Sequence, residues 1–119
     1  DAPCSGTGTL RGHPEIVDRL TEEGVARLAR LQSLLLDHAV AMTAEGGTLT
    51  YAVCSLTKQE GPDVIRAALA RHPELAVEPP GAWNTPAAVP THRVDVGAFL
   101  LPAAGLDGFF VARLKRSAR

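Results

Sequence analysis

The order of helix and strand signals along this 119-residue chain predicts an α/β fold: a sheet with helices on its faces, closed by a terminal antiparallel hairpin. Three observations carry that expectation. A stretch with helical periodicity runs straight into a β-branched segment, a second helical stretch leads to a short strand signal, and two apolar segments flank a glycine-containing turn near the end. Strands joined through helices favour parallel neighbours, so the hairpin makes the expected sheet mixed.

The chain opens on Asp1-Ala2-Pro3-Cys4-Ser5-Gly6-Thr7-Gly8, which carries neither strand nor helix signal, and a strand is expected to feed that turn from upstream. Gly12-His13-Pro14 is a second breaker cluster. Residues 21–44 then show helical spacing, with Val25, Leu28, Leu31, Leu35, Ala39 and Met42 as an apolar stripe expected in the core. Glu22 and Glu23 suit the first turn, and Gly46-Gly47 suits the end. Residues 48–53, Thr-Leu-Thr-Tyr-Ala-Val, read as a strand buried on at least one face.

Thr57 and Glu60 have the spacing of a capping box, and Val64, Ile65, Ala68 and Leu69 give an apolar face to a helix reaching about Arg71. Pro62 is comfortable only in a first turn, which moves that helix start to near Gly61. Residues 75–78 are a short strand candidate. Residues 79–91 hold four of the nine prolines and no periodicity, so a surface loop is expected there. Residues 98–101 and 109–114 form the hairpin around a turn at 103–108.

Composition narrows the class. With 45% hydrophobic and 21% charged residues, the chain is neither collagen-like, disordered nor a disulfide scaffold. It has no run near the roughly 20 apolar residues of a membrane helix and no secretory signal pattern. A net charge of −1 argues against a free-standing polybasic binder while leaving room for a local basic patch. Cys4 and Cys54 are far apart in sequence, so reduced thiols and a cytoplasmic location are expected.

Both cysteines fall where a strand would end, and each is followed by a serine. Ligands of open α/β sheets sit beyond the carboxyl ends of strands, which puts the opening loop and Cys54-Ser55 at one site. Cys54 precedes a helix N-terminus, where partial positive charge favours thiolate and hence attack on an electrophilic carbon. The same position equally suits a small apolar residue ending a core strand. No Cys-x-x-Cys or short paired spacing occurs, and His38 and His72 fall on helix surfaces or ends, so no metal is expected. Gly6-Thr7-Gly8 lacks the Lys-Ser/Thr of a phosphate-cradling loop; its glycines serve the turn.

Taken in order, Asp1 to Gly8, His13-Pro14, Tyr51-Ala52-Val53-Cys54-Ser55-Leu56 and Asp107-Gly108-Phe109-Phe110-Val111-Ala112-Arg113-Leu114 resemble the Sun/Fmu (Nol/Nop/Sun) family of RNA (cytosine-5) methyltransferases. The likeness implies that residues 1–119 are the C-terminal part of a Rossmann-like, S-adenosylmethionine-dependent catalytic domain whose glycine-rich cofactor loop lies upstream. It implies S-adenosylmethionine as cofactor and methylation of cytosine carbon 5 in RNA, rRNA or tRNA. Carried over by position, Cys54 matches the nucleophile of the family's Thr-Cys-Ser-Leu motif and Cys4 the cysteine that assists product release. Asp1 matches the acidic residue between cofactor and target base, a catalytic and cofactor-binding carboxylate that would stabilise charge near ring nitrogen 3 and the exocyclic amine; Pro3, Ser5, Arg11 and Ser55 are candidate substrate contacts. Position 53 departs from the family, with Val in place of the usual Thr.

The target base must leave its stack, which suits single-stranded or splayed RNA. Arg11 and His13 suit phosphate or a solvated loop equally. Arg113, Lys115, Arg116 and Arg119 form a basic C-terminus without acidic residues, expected to fray more than to bind RNA. Trp83 is expected to plug a hydrophobic gap rather than stack on a base, and of Phe109 and Phe110 one is expected in the core. Two other readings stay open: Cys4 as the nucleophile, and a non-catalytic RNA-binding or interaction module derived from such an enzyme.

Overall fold

In the computed structural model, which describes residues 1–83, 89–103 and 105–118, the sheet is organised around its longest strand, Phe109–Arg116. In chain order the helices are α1 (Glu22–Met42) and α2 (Pro62–Arg71), and the strands are β1 (Thr48–Val53), β2 (Leu75–Val77), β3 (Thr91–Val94), β4 (Gly97–Leu100) and β5 (Phe109–Arg116). Short 3-10 turns cover Thr7–Thr9, Pro14–Arg19 and Pro80–Ala82. The expected helices and strands therefore occur within a few residues of their predicted bounds. Parts of the proline-rich loop (residues 84–88), of the 103–108 turn (Ala104) and of the basic terminus (Arg119) lie outside the described residues.

Period-2 burial explains the centre of the sheet. Phe110, Ala112 and Leu114 on β5 are fully buried, while the residues between them are half-buried. Opposite them on β1, Val53 pairs with Phe110 and Tyr51 with Ala112, so both strands press the same face into the core. Ile65 and Ala68 of α2 complete that core at zero exposure. Phe110 thus meets the expectation of one core phenylalanine, its ring 5.1 Å from Phe99 and 6.4 Å from Tyr51.

Every ladder among the described residues is antiparallel. Parallel neighbours were the expectation for β1 and β2, and the difference has a topological cause. α2 carries the chain past β5, which occupies the place between β1 and β2; those two strands point the same way with an antiparallel strand separating them. β1 takes one side of β5, whereas β4 and β2 share the other end to end. β3 was not expected, because Thr91, His92 and Arg93 are exposed and show no alternation; backbone pairing with β4 makes the strand.

α1 buries a different ridge from the predicted stripe. Its buried side chains are Gln32, Leu36 and Val40, whereas Leu31, Leu35 and Met42 are exposed, Met42 at 82%. Thr21 caps the helix, its hydroxyl accepting from the Gly24 N–H at 2.9 Å. At the other end the Arg116 guanidinium donates to the Thr43 and Val40 carbonyls. Arg113 pairs with Glu78 at 3.1 Å, so two of the basic residues expected to fray are tied into the fold. Trp83 is half-buried, its indole N–H donating to the Glu78 carbonyl at 3.2 Å. No helix among the described residues is long and apolar enough to cross a membrane.

Candidate active site

Three segments far apart in sequence meet at Gly8. Its N–H donates to the Cys54 carbonyl at 3.0 Å, and its own carbonyl accepts from the Gly108 N–H at 2.7 Å. Only a residue without a side chain fits there: a Cβ on Gly8 would stand 2.0 Å from the Gly108 carbonyl oxygen. Further along, the Leu56 N–H donates to Thr7 Oγ1 at 2.9 Å, and the Ala2 N–H donates to the Ala52 carbonyl at 3.0 Å. The opening loop is thereby laid along the end of β1 and the turn that follows it.

This stitching brings the two thiols together. Cys4 Sγ and Cys54 Sγ lie 3.0 Å apart, both half-buried and both free. Burial, and then the hydrogen bond with Cys54, push the Cys4 thiol up to about 12, so Cys4 keeps its proton at neutral pH. α2 begins at Pro62, next to the expected start at Gly61, so a turn of several residues separates Cys54 from the helix N-terminus.

Behind the thiols lies a buried carboxylate. Glu60 is fully buried, its Oε1 accepting from the Ser5 N–H at 2.7 Å and Gln32 Nε2 at 3.2 Å. Its Oε2 accepts from the hydroxyls of Ser5, Ser55 and Thr57 at 2.6, 2.5 and 2.8 Å. Burial raises the proton affinity of this carboxyl, but the Ser5 and Ser55 bonds outweigh it and hold the group below the usual carboxylate range. The predicted capping box is half formed. The Glu60 N–H does donate to Thr57 Oγ1 at 3.2 Å, yet the Thr57 N–H goes to Ser55 Oγ and the Glu60 side chain turns inward. The Thr57–Glu60 spacing was visible in sequence; its use was not. Gln32, which sequence reasoning also missed, is a lone polar residue on the buried ridge of α1.

The remaining candidates are scattered. Ser55 is fully buried in the Glu60 cluster rather than open to a ligand, and Ser5 shares that cluster. Pro3 is exposed, its carbonyl accepting from Gln32 Nε2 at 2.8 Å. Arg11 is exposed on a turn, whereas Arg19 and Arg27, not singled out from sequence, line a cleft of about 510 Å³ together with Cys4, Ser5 and His13. Val53 faces the core at zero exposure, so the methyl that replaces the family's hydroxyl sits among apolar neighbours. Asp1 is exposed and lines a separate cavity of about 190 Å³ with Gln32, Leu35 and Tyr51. Gln32 Oε1 is buried without a hydrogen-bond partner among the described residues. The exposed Asp1 carboxylate is an acceptor that fits a cationic or N–H- and O–H-bearing group.

Residues 1–115 match the family model described as 16S rRNA methyltransferase RsmB/F. Over 116 residues the chain is 49% identical to ribosomal RNA small subunit methyltransferase B of Thermus thermophilus, covering 98% of this chain and 28% of that protein. It is 40% identical to the protein of the same name from Cronobacter sakazakii, covering 96% and 24%. The chain thus spans about a quarter of the length of the curated relatives it matches. Among solved structures, PH0851 superposes with a TM-score of 0.85 at 32% identity over 98% of this chain and 25% of that one. NSun6 from Pyrococcus horikoshii with SFG shares the fold, with a TM-score of 0.76 at 21% identity over 100% and 29%.

Proposed function

Because this chain belongs to the RsmB/F family of rRNA methyltransferases, we propose that it is the thiol-bearing portion of an enzyme that methylates carbon 5 of a cytosine in ribosomal RNA, in the cytoplasm, through a covalent Cys54 adduct. The observation that carries this reading is the pair of free thiols 3.0 Å apart, one from each cysteine motif.

Carbon 5 of cytosine is too weak a nucleophile to take a methyl group unaided. Cys54, as thiolate, adds to carbon 6 and turns the ring into an enamine whose carbon 5 is electron-rich. S-adenosylmethionine, when bound, supplies the electrophilic methyl group. Toward it this chain offers the exposed Asp1 carboxylate, an acceptor suited to a group bearing donors and positive charge. Cys4 retains its proton and lies against the nucleophile, so its S–H can hydrogen-bond to the departing Cys54 sulfur and stabilise the leaving thiolate as the ring regains aromaticity. Loss of the carbon 5 proton requires a base or water. Arg19, Arg27 and His13 around the 510 Å³ cleft suit the phosphates flanking a splayed base.

One observation favours a second reading: Cys4, not Cys54, is among the residues lining that cleft. If Cys4 is the nucleophile, Cys4→Ala prevents adduct formation. On the first reading Cys54→Ala abolishes methyl transfer, whereas Cys4→Ala accumulates a covalent protein–RNA adduct visible on a denaturing gel. A third outcome, no methyl transfer or adduct from the intact wild-type protein, would indicate a non-catalytic RNA-binding module.

A further inference from the structure

Each cysteine is followed by a serine, and both serines bond one carboxylate. Ser5 Oγ and Ser55 Oγ donate to the same oxygen of Glu60, at 2.6 and 2.5 Å, and the Ser5 N–H donates to the other at 2.7 Å. Thr57 Oγ1 adds a bond from the Cys54 turn, and Gln32 Nε2 adds one from α1. From this convergence we propose that Glu60, as an anion, is the positioning residue of the thiol pair, clamping the Cys4-Ser5 loop to the Cys54-Ser55 turn and so setting the separation of the two sulfurs, a role that rests on the thiol-pair reading of the site.

The geometry singles out an anion. Both partners of Oε1 are N–H groups, which donate only, so a proton on that oxygen would face a donor. Oε2 is surrounded by three hydroxyls, each of which can turn its proton inward. No ion pair balances the charge among the described residues; donors alone solvate it. A buried anion is an expensive way to fill space, and an apolar side chain of similar volume would hold the fold at lower desolvation cost. A helix cap does not explain it either, because the carboxylate ignores the Thr57 N–H that a capping box would satisfy. What the charge does achieve is to gather donors from both cysteine segments onto one point.

The test uses the intact protein carrying Glu60→Gln, which keeps the shape and removes the charge, beside Glu60→Ala. Sulfur proximity is read without RNA or methyl donor by adding diamide. The two thiols lose two protons and two electrons as the S–S bond forms, and the azo bond of diamide takes them up. With Glu60→Gln, the rate of Cys4–Cys54 disulfide formation and kcat for methyl transfer each fall at least tenfold, KM for RNA stays within twofold, and the unfolding midpoint stays near wild type; Glu60→Ala loses more. Wild-type disulfide formation and kcat in the Gln variant would overturn the assignment, as would a kcat loss with unchanged disulfide formation. Should the Gln variant fail to fold, Ser5→Ala/Ser55→Ala cuts both hydroxyl ties with the carboxylate in place and must show the same paired loss. Full activity of Cys54→Ala overturns the Cys54-adduct reading instead, and leaves the wild-type and Glu60→Gln disulfide rates to judge Glu60 separately.

Discussion

Replacing Gly8 by alanine adds one methyl group at the point where the three motif segments meet. The new Cβ would stand 2.0 Å from the Gly108 carbonyl oxygen and 3.1 Å from that of Cys54, with backbone on both sides and no flexible side chain to yield. Ordinary contact begins near 3.4 Å, so the Gly108 strand end has to withdraw by about 1.4 Å. That movement breaks or stretches two backbone hydrogen bonds, Gly8 to Cys54 and Gly108 to Gly8, at about 1 kcal/mol each. Overpacking adds about 1–3 kcal/mol, for a total near 3–5 kcal/mol. Loss of the Gly8-to-Cys54 bond loosens the opening loop that holds Cys4 against the Cys54 turn, and an ångström of misplacement between reacting groups costs on the order of 100-fold in rate. Urea unfolding and methyl-transfer kinetics of the intact protein measure both effects. Gly46→Ala is the control: a Cβ at Gly46 would meet nothing within 4 Å, and with a φ of +75° the substitution brings only backbone strain of about 1–2 kcal/mol and no loss of rate. Gly8→Ala with wild-type stability and rate would show that Gly8 does not hold the three segments together.

Phe110→Ala removes a fully buried ring packed between Tyr51 and Phe99 and lowers unfolding free energy by about 3–5 kcal/mol in the same urea assay. Asp37→Asn loosens the tie from α1 to the end of α2, where one carboxylate oxygen accepts from Arg71 at 2.8 Å and meets His72 at 2.7 Å. The Arg71 hydrogen bond chiefly holds the Asp37 carboxyl below its ordinary 3.8, so its stabilisation is complete above that pH and disappears as pH falls through the depressed value. For a pair this exposed the difference at neutral pH is about 0.5–1 kcal/mol, and wild type and variant converge in acid; a gap that persists at pH 2 would contradict the ion-pair assignment.

The helices and most strands were legible because their signals are local. The 48–53 run is β-branched and Pro62 marks a first turn, and both elements start where those signals place them. β3 was illegible because its exposed Thr91, His92 and Arg93 owe their conformation to pairing with β4 and not to their own pattern. The α1 stripe misled because Leu31 and Leu35 form a ridge adjacent to the buried one, and apolar spacing alone does not choose between neighbouring ridges. At the site, the cysteines could be named from their motifs. Their separation could not, since it depends on a glycine contact and a buried carboxylate that only the tertiary fold assembles. Glu60 shows the limit most clearly: its spacing from Thr57 matched a local rule, and a long-range set of donors overrode half of it.

In the proposed reaction Cys54 forms the bond to the base and Cys4 breaks its hold. Incubating the intact protein with S-adenosylmethionine and RNA carrying 5-fluorocytosine at the target position traps the covalent species, because fluorine at carbon 5 does not leave as a cation. Peptide mapping by mass spectrometry then identifies the bonded residue. The nucleotide is expected on Cys54 Sγ in both wild type and Cys4→Ala; the nucleotide on Cys4, or its absence from Cys54, would contradict these roles.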